Sequence, residues 1–385
     1  MLLHSSARPA APLASGSGRL EWLQAARGGA ALLVLMFHLR PLIAGAPAIA
    51  PSAVLWTYGF CGVDIFFVIS GFVVARSLQS LAPTAHVGGL FVAKRLLRIF
   101  SGYWPALALT VVVTMWLPGN ENFPPMAKMW DSLFLLSPSL FDHWLGTAWS
   151  LSYELYFYGC LAVLFFAVRW GTFYQRLVFA MAVLLVVNAA CYVVDREMVE
   201  TGHQPMRHWF AGFGIEFLAG SCLAELLKHR PVISKKLIPV FAIFGLLGLL
   251  MGTSSYHFAN VEVLRAGSYG LFGLGVVLIA LTLDSHALRA PAWLVKLGDS
   301  SFSLYLLHPL LIGIYGWLQF RLMPSGPYWV LAFTLSAVPV MLLVCHGWYL
   351  AVERPLHRLA ERVIGLERQK AVPATHANAS RVAVD

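Results

Sequence analysis

Charge is scarce in this sequence. Only 12% of its 385 residues are Asp, Glu, Lys or Arg, while 59% are hydrophobic. A soluble globular chain is about a quarter charged and under half apolar, so that class is excluded. Cysteine is sparse as well. Cys61, Cys160, Cys191, Cys222 and Cys345 stand far apart, in or beside apolar runs, with no CxxC pair and no Cys/His cluster. This points away from a disulfide framework and a metal site, and toward small buried hydrophobes. The Gly-x-Ser-x-Gly elbow is missing, which leaves a covalent serine route without its motif. Residues 1–18 contain no sustained apolar stretch and read as a flexible tail rather than a cleaved signal. There is no internal repeat.

What the sequence has instead is long apolar runs, recurring along almost its whole length. A membrane span needs about 20 such residues. The runs fall at 22–44, 54–76, 100–118, 147–168, 177–195, 209–227, 237–253, 264–284, 298–320 and 328–350. The expectation is an all-α polytopic membrane protein of ten spans. Its membrane-embedded domain covers 19–356, and a C-terminal tail covers 357–385. Many of the thirteen Trp lie near the ends of runs, as interfacial belts do. With the N-terminus on one side, that side receives every Lys and Arg except Arg40, Lys128, Arg196, Arg207, Arg265 and Arg321. This asymmetry predicts that both termini are cytoplasmic. It also accounts for the net charge of +9 without a nucleic-acid partner.

Ionisable groups inside hydrocarbon are costly and usually functional. Span one opens with Arg27 and holds His38 eleven residues later. Eleven steps of about 100° place both on one face, roughly 16 Å apart along the axis. They therefore line one cavity at two depths rather than bonding each other. Asp64 and Glu154, in spans two and four, each fall roughly 10–15 Å from the outer end, and His308 is similarly deep in span nine. The four are expected to converge. A histidine returns and takes a proton near neutrality, and a carboxylate beside it fixes its tautomer, which is what general-base activation of a hydroxyl needs. Each residue has a bland reading beside this one. Asp64 and Glu154 also suit interhelical hydrogen bonding, and His38 a structural role. Arg27 also suits snorkelling. His308 also suits filling the gap made by Pro309. Lys94, Arg95 and Arg98 form a basic cluster that serves either topology or phosphate binding. Trp144, Trp149 and Tyr153 suit a sugar platform and a membrane belt equally.

The residues now quoted carry a resemblance. Arg27 to His38 is followed by FCGVDIFFVISGFVVA at 60–75, KRLLRIFSGYWP at 94–105, WSLSYELYFY at 149–158, SFSLYLLHPLL at 301–311 and VERP at 352–355. In this order the chain resembles the acyltransferase-3 family of bacterial integral membrane proteins, which move acyl groups onto hydroxyls of surface glycans. It departs from the family pattern at Leu155, where a second acid is usual, and at Ser101-Gly102, where paired prolines are usual.

The resemblance implies an inner-membrane O-acyltransferase. Its donor would be acyl-CoA, most simply acetyl-CoA, and its acceptor a carbohydrate or cell-envelope glycan. His38 would be catalytic, with Glu154, Asp64 or His308 orienting it. Arg27, Arg95, Arg98 and Lys94 would lie toward the CoA. No metal is implied, and membrane lipids are the other partner. A proton-coupled transporter or flippase for a sugar or lipid-linked substrate is the rival, because buried acids and histidines also suit proton relays.

Overall fold

The computed structural model describes residues 19–46, 48–116, 126–137, 139, 142–194, 212–229, 232–254, 262–322 and 327–363. The expected tail at 1–18 and residues 364–385 of the expected tail at 357–385 lie outside them. Every element among the described residues is helical. The main helices are α1 (Glu21–Ala44), α2 (Gly62–Leu78), α3 (Ala85–Trp116), α4 (Met129–Phe134), α5 (Trp149–Ala162), α6 (Phe173–Val194), α7 (Phe213–His229), α8 (Ile238–Ser254), α9 (Leu271–Ser285), α10 (Ala292–Asp299), α11 (Ser301–Leu322), α12 (Pro327–Trp348) and α13 (Arg354–Val363). Nine helical segments among the described residues are long and apolar enough to cross a membrane. The remaining expected span, 209–227, corresponds to α7, a helix of 17 residues. Its first expected residues, 209–211, lie outside the description.

Several boundaries differ from the apolar runs for identifiable reasons. α3 is one helix of 32 residues that begins at Ala85. The basic cluster at 94–98 is therefore part of the spanning helix rather than a separate element before it. Charge lowers hydropathy but does not break a helix. The expected span 298–320 starts at a break, since α10 ends at Asp299 and α11 begins at Ser301. Asp64 lies two residues beyond Gly62, which abuts the Ala30 carbonyl of α1. The chain before it runs in 3₁₀ turns, Ala50–Trp56 and Gly59–Cys61, so Asp64 falls in the first turn of α2. At its C-terminus α12 continues through a π-helical turn, Tyr349–Glu353, into α13.

The centre of the bundle is α2. Nine of its apolar side chains are buried, Phe67, Val68 and Phe72 among them, and it packs most extensively on α7. Gly71 and Gly220 make that crossing possible. A Cβ on Gly71 would lie 1.8 Å from the Phe217 carbonyl oxygen, and one on Gly220 would lie 2.0 Å from that of Val68. Small residues at such crossings let backbones approach where lipid supplies no hydrophobic drive. α1 lies against α2, α9, α10 and α11. This brings the first and the late helices of the chain together around one interior.

Candidate active site

His38 and His308 face each other across the α1–α11 contact. Nδ1 of His38 is 2.9 Å from the Val34 carbonyl oxygen, and Nδ1 of His308 is 3.1 Å from that of Leu304. A carbonyl oxygen only accepts, so each Nδ1 carries the hydrogen. Nε2 of His308 is then an acceptor, and it lies 3.2 Å from Nδ1 of His38. The His38 N–H is thus shared between Val34 and His308. This leaves the His38 Nε2 lone pair, and no described residue donates to it. The two ring centroids are 4.7 Å apart, with Phe37 edge-on to His38 at 4.8 Å. His308 is buried, at 1% exposure, whereas His38 is half-buried.

Beside this pair lies a cavity of about 550 Å³. Its mouth is at the end of the bundle where α1 and α3 carry their arginines. Arg19, Arg27, Arg95, Arg98, Arg354 and Arg358 line it there. Arg95 and Arg98 are three residues apart and so share a face. Arg95 donates to the Ser77 hydroxyl at 2.6 Å and lies over the rings of Phe91 and Tyr158. Arg27 is tethered more loosely to Gln24, at 3.3 Å. Acids balance the charge. Asp299 pairs with Arg19, and Glu353 accepts from the Ser303 hydroxyl. Halfway along, Glu154 accepts from Ser70 at 2.7 Å and from the Tyr158 hydroxyl. The far end is lined by Phe66, Ser150, Leu151 and Tyr305.

The expected convergence is therefore partial. His38 and His308 meet. Arg27, Arg95, Arg98 and Glu154 share the cavity, but neither histidine lines it. Lys94 is exposed and outside the lining, because one helical step turns it about 100° from Arg95. Asp64 is elsewhere. Its carboxylate receives Nε and a terminal nitrogen of Arg265 at 2.8 and 2.7 Å, a fork-to-fork pairing that occupies both oxygens. The guanidinium lies 4.8 Å from the centroid of Phe60 and 5.0 Å from that of Phe213. Trp149 and Tyr153 also pack on Phe213, at 5.5 and 5.6 Å. Neither they nor Trp144 lines the cavity. The Trp144 backbone N–H donates to Ser132 Oγ at 2.8 Å.

Several residues escaped sequence reasoning. Arg265 had been counted only as an outer-side charge, although it is the partner of Asp64. Tyr158 lies one turn beyond Glu154, and Tyr305 lies one turn before His308, so helical spacing was a signal for both. Glu353 stood in the VERP motif without a role. His357, Arg358 and Glu361, expected in a tail, line the cavity from α13.

At the end of the bundle away from the cavity mouth, the loop between α3 and α5 is pinned by Lys128, 2.6 Å from Asp142, and by the Ser137 hydroxyl, 2.7 Å from the same carboxylate. Burial alone would raise the Asp142 pKa. The hydrogen bonds from Lys128 and Ser137 outweigh burial and hold it below the usual carboxylate value.

Comparison with known proteins converges on one group. The model of an acyltransferase domain family, Acyl_transf_3, matches residues 20–346. The exopolysaccharide production protein ExoZ of Rhizobium meliloti (strain 1021) is 30% identical over 321 residues, 79% of this chain and 91% of its own length. Nodulation protein 10 of Rhizobium leguminosarum bv. viciae is 26% identical over 333 residues, 79% of this chain and 83% of its own. No solved structure matches.

Proposed function

The chain belongs to the acyltransferase-3 family, and from that membership we propose that it is a membrane-bound O-acyltransferase acting on a cell-envelope glycan. The donor is a cytoplasmic acyl-CoA, acetyl-CoA in the simplest case. The acceptor hydroxyl comes from the opposite side of the membrane. One relative is named for exopolysaccharide production and the other for nodulation, which favours a surface carbohydrate as acceptor.

The observation that carries this reading is the histidine pair. His308 and Val34 hold the His38 N–H, so the His38 ring is fixed with Nε2 as a base. In the step we propose, Nε2 takes the proton of the acceptor hydroxyl while that oxygen bonds to the thioester carbonyl carbon. The carbon–sulfur bond breaks as the tetrahedral adduct collapses. The departing thiolate takes the proton from the imidazolium, which releases CoA thiol and restores the base. His308 is then a positioning residue.

The cavity suits the donor. Arginine pairs bidentately with phosphate oxygens, and six arginines at one mouth suit the phosphates of a CoA. Along α2 the lining runs from Val74 to Val63, roughly 16 Å at helical rise, a length suited to a pantetheine arm. By the positive-inside rule that mouth faces the cytoplasm. His38 lies in the last third of α1, toward the other side.

The test is turnover by detergent-solubilised protein with labelled acetyl-CoA and an oligosaccharide acceptor. Release of CoA thiol with label in the oligosaccharide, lost in His38→Ala, is the expected result. An absence of CoA-dependent turnover together with proton-coupled sugar uptake would replace the proposal with the transporter reading.

A further inference from the structure

The cavity stops one turn short of the histidines. α5 starts at Trp149 away from the mouth and runs toward it, so Ser150 is the deepest α5 residue in the lining. On α11, which starts near the mouth, Tyr305 is the last lining residue. The hydroxyls of Ser150 and Tyr305 are 2.6 Å apart. Both residues are buried, at 7% exposure each. Phe66 packs edge-on against the Tyr305 ring, with centroids 6.0 Å apart. The same ring is 6.0 Å from His308, which bonds His38 and does not line the cavity. Tyr305 is thus a wall with the donor cavity on one side and the histidine pair on the other.

The wall stands on a weakened turn. Four residues beyond Tyr305 is Pro309, which has no N–H to give the Tyr305 carbonyl and disturbs the helix there. The hydroxyl bond to Ser150 is then the tie that holds the ring across the cavity end.

Resting on the acyl-CoA reading above, we propose that Tyr305 and Ser150 form a septum between the donor cavity and the histidine pair, and that this septum restricts transfer to short acyl groups. A thioester lying in the cavity points its acyl chain at the Tyr305 and Phe66 rings. An acetyl group ends there. A longer chain meets the rings before its carbonyl reaches the level of His38. Displacement of the Tyr305 hydroxyl from Ser150 opens the way for the carbonyl to reach the acceptor.

The experiment compares acetyl-CoA and butyryl-CoA as donors for wild type, Tyr305→Ala, Tyr305→Phe and Ser150→Ala, with binding of free CoA measured on each. A pocket wall discriminates one added methylene by roughly 10–200-fold. Tyr305→Ala is therefore expected to raise the butyryl-to-acetyl ratio of kcat/KM by at least about tenfold. Tyr305→Phe and Ser150→Ala break the tie and raise the ratio less. CoA remains bound, since the arginine mouth that holds its phosphates is untouched. Should Tyr305→Ala not fold, the two milder variants decide. Variants that bind CoA normally and keep the wild-type ratio overturn the septum, as does a wild-type protein that already uses both donors equally. A wild type that neither binds CoA nor transfers an acyl group overturns the functional proposal instead.

Discussion

Nε2 of His308 stands 3.2 Å from Nδ1 of His38, joining the ninth expected span to the first. The bond fixes which nitrogen of His38 carries hydrogen, and so which one is a base. Replacing His38 by Ala removes that base, and transfer is expected to fall by about 10²–10⁴-fold. His308→Ala removes one orienting hydrogen bond, a loss of about tenfold. Donor KM should stay constant in both. Equal losses from the two variants would show that His308 does more than position its neighbour.

The cavity mouth separates donor-holding residues from bystanders. Arg27→Ala, Arg95→Ala and Arg98→Ala each forfeit a charge-assisted contact, about 1.5–3 kcal/mol, or roughly 10–100-fold in donor KM at nearly unchanged kcat. Lys94→Ala, exposed beyond the lining, leaves KM unchanged. Steady-state kinetics with acetyl-CoA tells the four apart.

Asp64 and Arg265 are expected to govern stability. Removing one partner strands a buried charge at a cost of about 3–5 kcal/mol, while replacing both by apolar residues restores much of it. Asp64→Leu and Arg265→Leu should each lower the thermal midpoint in detergent, and the double variant should lie above either single. A double variant less stable than both would contradict the pairing.

The Lys128–Asp142 contact sets a pH window for the loop before α5. Asp142 is held below its ordinary pKa, so its contribution is complete above the unfolded value of about 3.9 and is lost as pH falls through the lower folded value. Lys128 is raised, chiefly by its hydrogen bond to Asp142. Its contribution is complete below an unfolded value of about 10.4 and is lost as pH rises through the folded one. Amide exchange in the loop should be faster in Asp142→Asn than in wild type at pH 7, and the difference should vanish well below the usual carboxylate range.

The α2–α7 crossing has no room for a methyl group. Gly220→Ala would press Cβ against the Val68 carbonyl, costing at least the 1–3 kcal/mol of about one overpacked methylene. A marked loss of monodisperse protein on size exclusion is the expected outcome.

Much of this architecture was legible because lipid imposes a simple code, apolar length for spans. The shared face of Arg95 and Arg98, which both line the cavity, followed from helical spacing. The partner of Asp64 was hidden because apolar length does not show which helices pack together. Asp64 stands in the first turn of α2 and pairs with Arg265, some 200 residues away. Which acid meets which base depends on helix packing, and periodicity carries no information about that. The role of α13 was hidden because a charged, amphipathic segment after the last span reads as a tail until its arginines are seen at the cavity mouth.

The account's central claim is that a donor entering from the arginine-lined face meets, at His38, an acceptor arriving from the other. Proteoliposomes with the protein in one orientation test it most directly, with labelled acetyl-CoA confined to the arginine face and oligosaccharide to the opposite one. Labelled oligosaccharide that disappears in His38→Ala is the predicted result. Label transferred only when both substrates share a face, or undiminished without the imidazole, would contradict the account.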